Sequence, residues 1–383
     1  MRPFSPSSSP PAGLFNTVQP AHLQVFSSEK RLPRSIEKIE AVKDALFELF
    51  YIRHPQFRKG SGEPKKELEV FIQRNLTKSV WAYLPWRNCA VHIPNEALYT
   101  EVRTARNRNL ITAKEQANLR KARIGIAGLS VGSSVSLNLA LIGGPHYYKL
   151  ADHDTLEISN LNRIVGSVSE IGKSKVDIAA QNIWELDPFA KIELWKDGIT
   201  KENLRTFIGN PRLTIFIDEM DNLELKALAR EECKKKRIPL LMATDAGNST
   251  ILDVERYDKE PRYRIFHGRV QFPKKLPARQ ENMRLWNSLA SQIIGPEFME
   301  KELQSSLMNI GKEISGVPQI GSSAIMAGSI LTIAARRIVN GDPLPSGKYI
   351  VSPTSILDST YNSVKTKNER RRIHSLFLKS IQI

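Results

Sequence analysis

The chain has 383 residues, 41% of them hydrophobic and 25% charged, enough to bury a large core in one main domain with an appendage. No apolar run approaches about 18 residues, so no membrane span is expected, and only two cysteines, Cys89 and Cys233, suit a reducing cytoplasm. The formal net charge of +16 reads either as a solvated basic surface, rich at KKKR (234–237) and in the NERRRIHSLFLK tail, or as attraction for an acidic partner. No nucleic-acid motif accompanies it.

The opening, MRPFSPSSSPPAG, is Pro/Ser-rich and lacks an apolar h-region. Residues 1–30 are therefore read as a disordered tail, not a secretion signal. The run from Ile36 to Tyr51 has helical periodicity, followed by the link RKGSGEPKK and a segment holding Trp81 and Trp86. Residues 31–100 are read as an accessory module, 101–350 as the main domain and 351–383 as a basic extension.

The main domain begins with an apolar, strand-like run from Ile124 to Ala127. A turn through Gly128 and Gly132 leads into a helix-like pattern at Val135, Leu137, Leu139 and Leu141. Strand, glycine turn and helix make the first unit of a Rossmann-like, doubly wound α/β fold, a mainly parallel sheet with helices on both faces. The next strand, YYKLADHD, ends at Asp152 and Asp154, where an acid accepts hydrogen bonds from ribose hydroxyls in such folds. Asn160 and Arg163 follow in SNLNR, then Lys175, and the strand LTIFIDEMDN ends with Asp218, Asp221 and Asn222. Near the end, GVPQIGSSAIMAGSILTIAARRIVNG reads as an apolar helix packed on the sheet and stopped at Asn340-Gly341.

Two chemistries compete for the glycine turn. Ser130 stands where G-x-G-x-x-G needs its second glycine, and Gly128 to Gly132 also fits G-x-S-x-G, the nucleophile elbow of serine hydrolases. That reading makes Ser130 a nucleophile and needs an acid and a histidine, such as Asp221 with His267 or His374. The residues downstream favour a triphosphate. Charged hydrogen bonds from Arg163 and Lys175 would each contribute roughly 1.5–3 kcal/mol to an anion. A carboxylate such as Asp221 can hold Mg²⁺ against phosphate oxygens. A nicotinamide oxidoreductase has no role for Lys175 and Asp221.

Taken in order, TARNRNLIT, GLSVGS, ADHD, ISNLNR, IGKSKVD and DEMDN resemble the ThiF/MoeB-type adenylating enzymes, the superfamily that includes ubiquitin-activating enzymes. The match runs over about half the chain, roughly Arg106 to Asp253. The resemblance implies ATP and Mg²⁺, with Gly128, Ser130 and Gly132 in the nucleotide turn, Asp152 at its side and Asp154 on the ribose. It puts Asn160, Arg163 and Lys175 on the phosphates, Asp221 on the metal and Asn222 beside it. Arg108 matches the arginine that reaches into a partner subunit's site, which implies a homodimer.

The implied reaction is attack of a substrate carboxylate on the α-phosphorus of ATP. The carboxylate is that of a peptide C-terminus or of a small ubiquitin-like or sulfur-carrier-like protein. Departures are present: Ser130 and Val131 replace glycines, and Ala105 stands where the family has a further arginine. With no C-x-x-C pair, no structural zinc is expected. Cys89 and Cys233 are read as buried structural residues, and no thioester domain is visible. The segment LMATDAGNSTILDVERYDKEPRYRIFHGR resembles a bacterial branch of the superfamily. A catalytically silent nucleotide-binding scaffold stays open as the alternative.

Overall fold

The computed structural model describes residues 22–57, 64–273, 276–277 and 281–381, and the chain divides into two units, 1–95 and 96–383. Of the stretch read as a disordered tail, residues 1–21 lie outside the described residues, and Gln24–Phe26 forms a strand.

The first unit contains β1 (Gln24–Phe26), β2 (Glu37–Glu40), α1 (Val42–Arg53), α2 (Lys65–Leu76), β3 (Ser79–Leu84) and β4 (Cys89–Pro94), with sheet order β1-β3-β4-β2. The helical reading of 36–51 needs correction at its start. Glu37–Glu40 pairs in parallel with β4, and the helix begins only at Val42. All four side chains of β2 are exposed, so its backbone pairing leaves no apolar pattern for a sequence reading to detect. Trp81 and Tyr83 form one buried cluster with Leu32 and Ala90, α1 buries Leu46, Leu49 and Phe50, and Trp81 stacks on His92 at 4.6 Å.

The second unit opens with α3 (Glu96–Arg103) and α4 (Ala113–Lys121). The alternating run β5 (Arg123–Ala127), α5 (Val131–Leu141), β6 (Tyr147–Ala151), α6 (Lys175–Leu186), β7 (Lys191–Trp195), α7 (Leu204–Gly209), β8 (Ile215–Asp218), α8 (Leu223–Lys236) and β9 (Leu240–Asp245) follows. It closes with β10 (Thr250–Glu255), α9 (Met283–Ile294), α10 (Lys301–Leu307), α11 (Gly321–Asn340), β11 (Gly347–Val351), α12 (Pro353–Leu357) and α13 (Val364–Ile381). The seven-stranded sheet runs β11-β10-β9-β8-β5-β6-β7. Strands β9, β8, β5, β6 and β7 are parallel; β10 and β11 add an antiparallel edge. The parallel part is thus doubly wound, and its chain order reverses between β5 and β8. In open sheets of this kind the ligand crevice lies outside the carboxyl ends of the strands at that reversal.

The central strands are apolar throughout because both faces are covered: Ile124, Ile126, Ile215, Phe216 and Ile217 have no exposed surface. Helix α11 packs against α5, β9 and β10 and ends at Gly341 in the left-handed region, φ +77°. By length and apolarity alone α11 matches a membrane span, yet half of its apolar stretch is buried within the protein, as in a core helix. Below the carboxyl edge, the wholly buried Arg230 joins three elements. It meets Asp218 of β8 at 2.6 Å and Glu255 of β10 at 2.7 Å, and its guanidinium lies 3.9 Å from the Phe266 ring centre.

Candidate active site

The turn after β5 needs glycine first. Gly128 has φ +88°, and a Cβ there would lie 2.2 Å from the carbonyl oxygen of Glu219, just past β8. The strand-reversal crevice therefore begins with two backbones in direct contact. At Gly132 a Cβ would press on Ile126 at 2.9 Å, so the first turn of α5 lies close on β5.

Asp152 fixes this turn. Its Oδ2 accepts from Leu129 N at 2.6 Å and its Oδ1 from Asp154 N at 2.8 Å, so both oxygens serve the backbone. Asp154 points outward, 53% exposed, and receives the Lys175 ammonium at 2.8 Å. That hydrogen bond holds the Asp154 carboxyl below the usual range. Lys175 begins α6 and is nine-tenths buried.

Ser130 precedes α5 but does not cap it; its hydroxyl accepts from Arg163 Nε at 3.1 Å. Arg163 Nη1 also donates to Ser159 O at 3.1 Å and to Asn162 Oδ1 at 2.9 Å, so the loop carrying the arginine braces it. Asn160 is buried within that loop, its Oδ1 accepting from Glu157 N at 3.3 Å. The head of α11 holds the loop from the other side. Asn162 Nδ2 donates to Gln319 O at 2.9 Å, and a Cβ on Gly321 would lie 2.5 Å from Asn162 O.

At the end of β8, Asp218 faces inward to Arg230 and Lys226; beyond it Asp221 is exposed, and Asn222 caps α8 by accepting from Leu225 N at 3.1 Å. Arg108, half exposed, pairs with Glu101 at 3.3 Å. The structure thus gathers Gly128, Ser130, Asp152, Asp154, Arg163 and Lys175 around one turn. Asn160 and Asn222 shape the loops that border it.

No histidine among the described residues hydrogen-bonds Ser130. His267 is held by Asp253 at 2.6 Å and Tyr263 at 2.9 Å, and His374 meets Gln304 at 3.3 Å. Cys233 is wholly buried on α8, where burial pushes its thiol well up, and Cys89 is buried in β4.

Two carboxylates of this edge carried no sequence signal. Glu219, inside DEMDN, accepts from Ala243 N at 2.8 Å, and burial raises its carboxyl well above the usual range. Asp245, inside TDAGN, ends β9 and is 8% exposed.

For a divalent cation, Asp152, His153 and Asp154 place one donor atom each within 4.8 Å of one another. Asp152's oxygens already serve two N–H groups and Asp154 serves an ammonium, which makes a poor cage. The exposed Asp221 carboxylate is the better fit for Mg²⁺, which takes one or two carboxylates and leaves its other positions to phosphates and water.

A doubly wound sheet with a glycine turn, two bracing cations and an acid pair at its strand reversal defines a Rossmann-type α/β protein with a candidate site at its carboxyl edge. The chain belongs to the ThiF family, whose model matches residues 104–373. It is similar to the uncharacterized protein MT1398 of Mycobacterium tuberculosis, 36% identical over 281 residues, which is 73% of this chain and 38% of that protein. It also resembles the tRNA threonylcarbamoyladenosine dehydratase of Haemophilus influenzae, 31% identical over 143 residues, 37% of this chain and 54% of the relative. The chain thus spans about 38% and 54% of these relatives' lengths. Among solved structures, Escherichia coli MccB with MccA-N7isoASN aligns over 81% of this chain and 84% of that one, at 16% identity and a TM-score of 0.49.

Proposed function

We propose that the chain is an ATP-dependent adenylating enzyme acting on a carboxylate. The observation that carries this reading is the joining of Arg163 to the glycine turn through Ser130, with Lys175 tied to the same turn through Asp154 and Asp152. Two cations beside a turn of closely approached backbone suit a polyphosphate, and membership of the ThiF family supports it.

In this reading Arg163 and Lys175 bind phosphate oxygens and Asp154 accepts from the ribose. Asp221 would hold Mg²⁺, whose charge offsets that of the phosphates. The substrate carboxylate oxygen bonds to the α-phosphorus as the bond to pyrophosphate breaks, giving an acyl-adenylate and free pyrophosphate. Positioning and charge neutralisation suffice for this step, so no nucleophilic side chain takes part.

The substrate class we favour is the C-terminus of a peptide or a small ubiquitin-like or carrier protein, for which the basic surface is an attraction. Arg108 is assigned to the site of a second copy in a homodimer, and the two buried cysteines suit the cytoplasm. A carboxylate carried by a modified tRNA nucleoside is the second reading; the dehydratase relative and the net charge of +16 favour it.

ATP–pyrophosphate exchange decides among these. Exchange driven by peptides supports the first reading, and exchange driven only by tRNA supports the second. Tight ATP binding without exchange on any acceptor points to a silent scaffold. Wild-type exchange rates in both Arg163→Ala and Asp221→Ala would overturn the site assignment.

A further inference from the structure

Asp245 is a buried carboxylate with nothing to bind. It is 8% exposed, and neither Oδ1 nor Oδ2 has a hydrogen-bond partner. Buried polar groups in native proteins are nearly always satisfied, and an orphaned carboxylate is among the costliest exceptions. A side chain with a purely structural role would cap a loop or pair with a cation, as Asp152 and Asp218 do here.

Its position is defined by the ladder. Asp245 pairs with Thr250 across β9 and β10, so the two side chains share one face of the sheet. Thr250 Oγ1 donates to Ser323 O, which makes this the face covered by α11. Asp245 is also the last residue of its strand, at the same carboxyl edge as Gly128 and Arg163. Arg163 is close enough to offset part of the rise in pKa that burial imposes on Asp245. The head of α11 abuts the Arg163 loop at Asn162. Asp245 therefore lies in the wall of the crevice, between that loop and α11.

Charge and direction narrow what it meets there. Phosphates and the carboxylate undergoing activation are anions, and an aspartate repels both. The ribose lies toward Asp154, after β6, whereas Asp245 ends β9. With strands about 4.8 Å apart, the three intervals from β9 through β8 and β5 to β6 separate these positions by about 14 Å. The nucleoside therefore occupies one flank of the glycine turn and Asp245 the other, the flank left for the second substrate.

We infer that Asp245 determines substrate specificity by accepting a hydrogen bond from an N–H group next to the activated carboxylate, namely the last backbone amide of a peptide chain. This inference rests on the adenylation reading above. The amide supplies the donor that the carboxylate oxygens lack, and the carboxylate beyond it is carried toward Arg163 and the α-phosphorus.

The test uses the full chain, ATP and two probes: acetyl-Ala-Gly-Gly and the same molecule with its last amide N–H replaced by an ester oxygen. The wild type is expected to show a KM in pyrophosphate exchange at least tenfold lower for the amide. Asp245→Leu, which removes the acceptor, should bring the two KM values within twofold. Asp245→Asn, which keeps a neutral acceptor and the shape of the site, should retain part of the preference. Equal KM values in the wild type, or a preference that survives Asp245→Leu, overturn the inference and leave adenylation standing.

Absence of exchange with either probe counts against the adenylation reading. The inference is then decided by the Asp245 carboxyl carbon signal in protein labelled with ¹³C at aspartate Cγ. Displacement of that signal by the amide probe with a non-hydrolysable ATP analogue, and not by the ester, supports it; an unmoved signal overturns it.

Discussion

Arg163 Nε donates to Ser130 Oγ at 3.1 Å across 33 residues of sequence, so the cation and the glycine turn form one unit. The serine that departs from the usual glycine pattern is thus a hydrogen-bond acceptor for the arginine. Replacing Arg163 by alanine is expected to lower kcat/KM for ATP in pyrophosphate exchange by about tenfold to about 150-fold, equivalent to losing one charged hydrogen bond of about 1.5–3 kcal/mol. Arg163→Lys should rescue little, because an ammonium cannot reproduce the guanidinium's simultaneous bonds to Ser130, Ser159 and Asn162. Ser130→Ala should keep exchange within about threefold, the range of a modest hydrogen bond. Loss of all activity in Ser130→Ala, together with fluorophosphonate labelling of the wild type, would return the hydrolase reading.

Asp152→Ala removes the acceptor for Leu129 N and Asp154 N together. Each N–H left without a partner costs about 1–3 kcal/mol if it stays dry. The variant is expected to unfold at lower urea concentration and to bind ATP more weakly. An unchanged urea midpoint with weaker ATP binding would instead make Asp152 a direct nucleotide ligand.

Asp245→Asn should stabilise the protein at neutral pH. Burial raises this carboxyl from 3.8 to about 6 in the fold, so between those values the native state binds more protons than the unfolded state. Stability therefore falls as pH rises through this window, and above it the wild type bears the full penalty, about 3 kcal/mol at 1.36 kcal/mol per pH unit. The amide that replaces the carboxyl in the variant does not titrate. The variant's advantage should be largest at pH 7 and vanish near pH 4, as read from urea unfolding across that range. Stability gained as substrate preference is weakened is the usual mark of a residue retained for function.

Arg230→Met tests the network beneath the site. The arginine is buried with Asp218 and Glu255, and its removal takes the paired cation from Glu255 and leaves Asp218 with Lys226, 3.2 Å away. Breaking a buried network in this way typically costs about 3–5 kcal/mol. Urea unfolding should show a loss of that order, and the double change Asp218→Asn with Glu255→Gln should recover part of it.

The sheet was legible because its strands are short apolar runs divided by turn residues, and the glycine turn because Gly128 alone tolerates the contact with Glu219. The order of motifs along the chain identified the family. Side-chain direction was not legible. A D-x-D pattern says nothing of which acid turns in, and the fold turns Asp152 toward the backbone and Asp154 toward Lys175. Asp245 passes as a turn residue because TDAGN has a loop's composition, and only the β10 ladder reveals its burial. The strand at Glu37–Glu40 escapes a sequence reading because a strand with exposed side chains on both faces has no periodicity.

The contact of Asn162 with Gln319 joins residues 157 positions apart. Synthesis runs from the N-terminus, so the five parallel strands, the glycine turn and Arg163 all leave the ribosome well before residue 319 does. Until then the arginine's loop lacks its outer support. The sheet can form early, but the contact that braces the Arg163 loop from outside closes only when the head of α11 arrives, so the Arg163 side of the crevice is completed late.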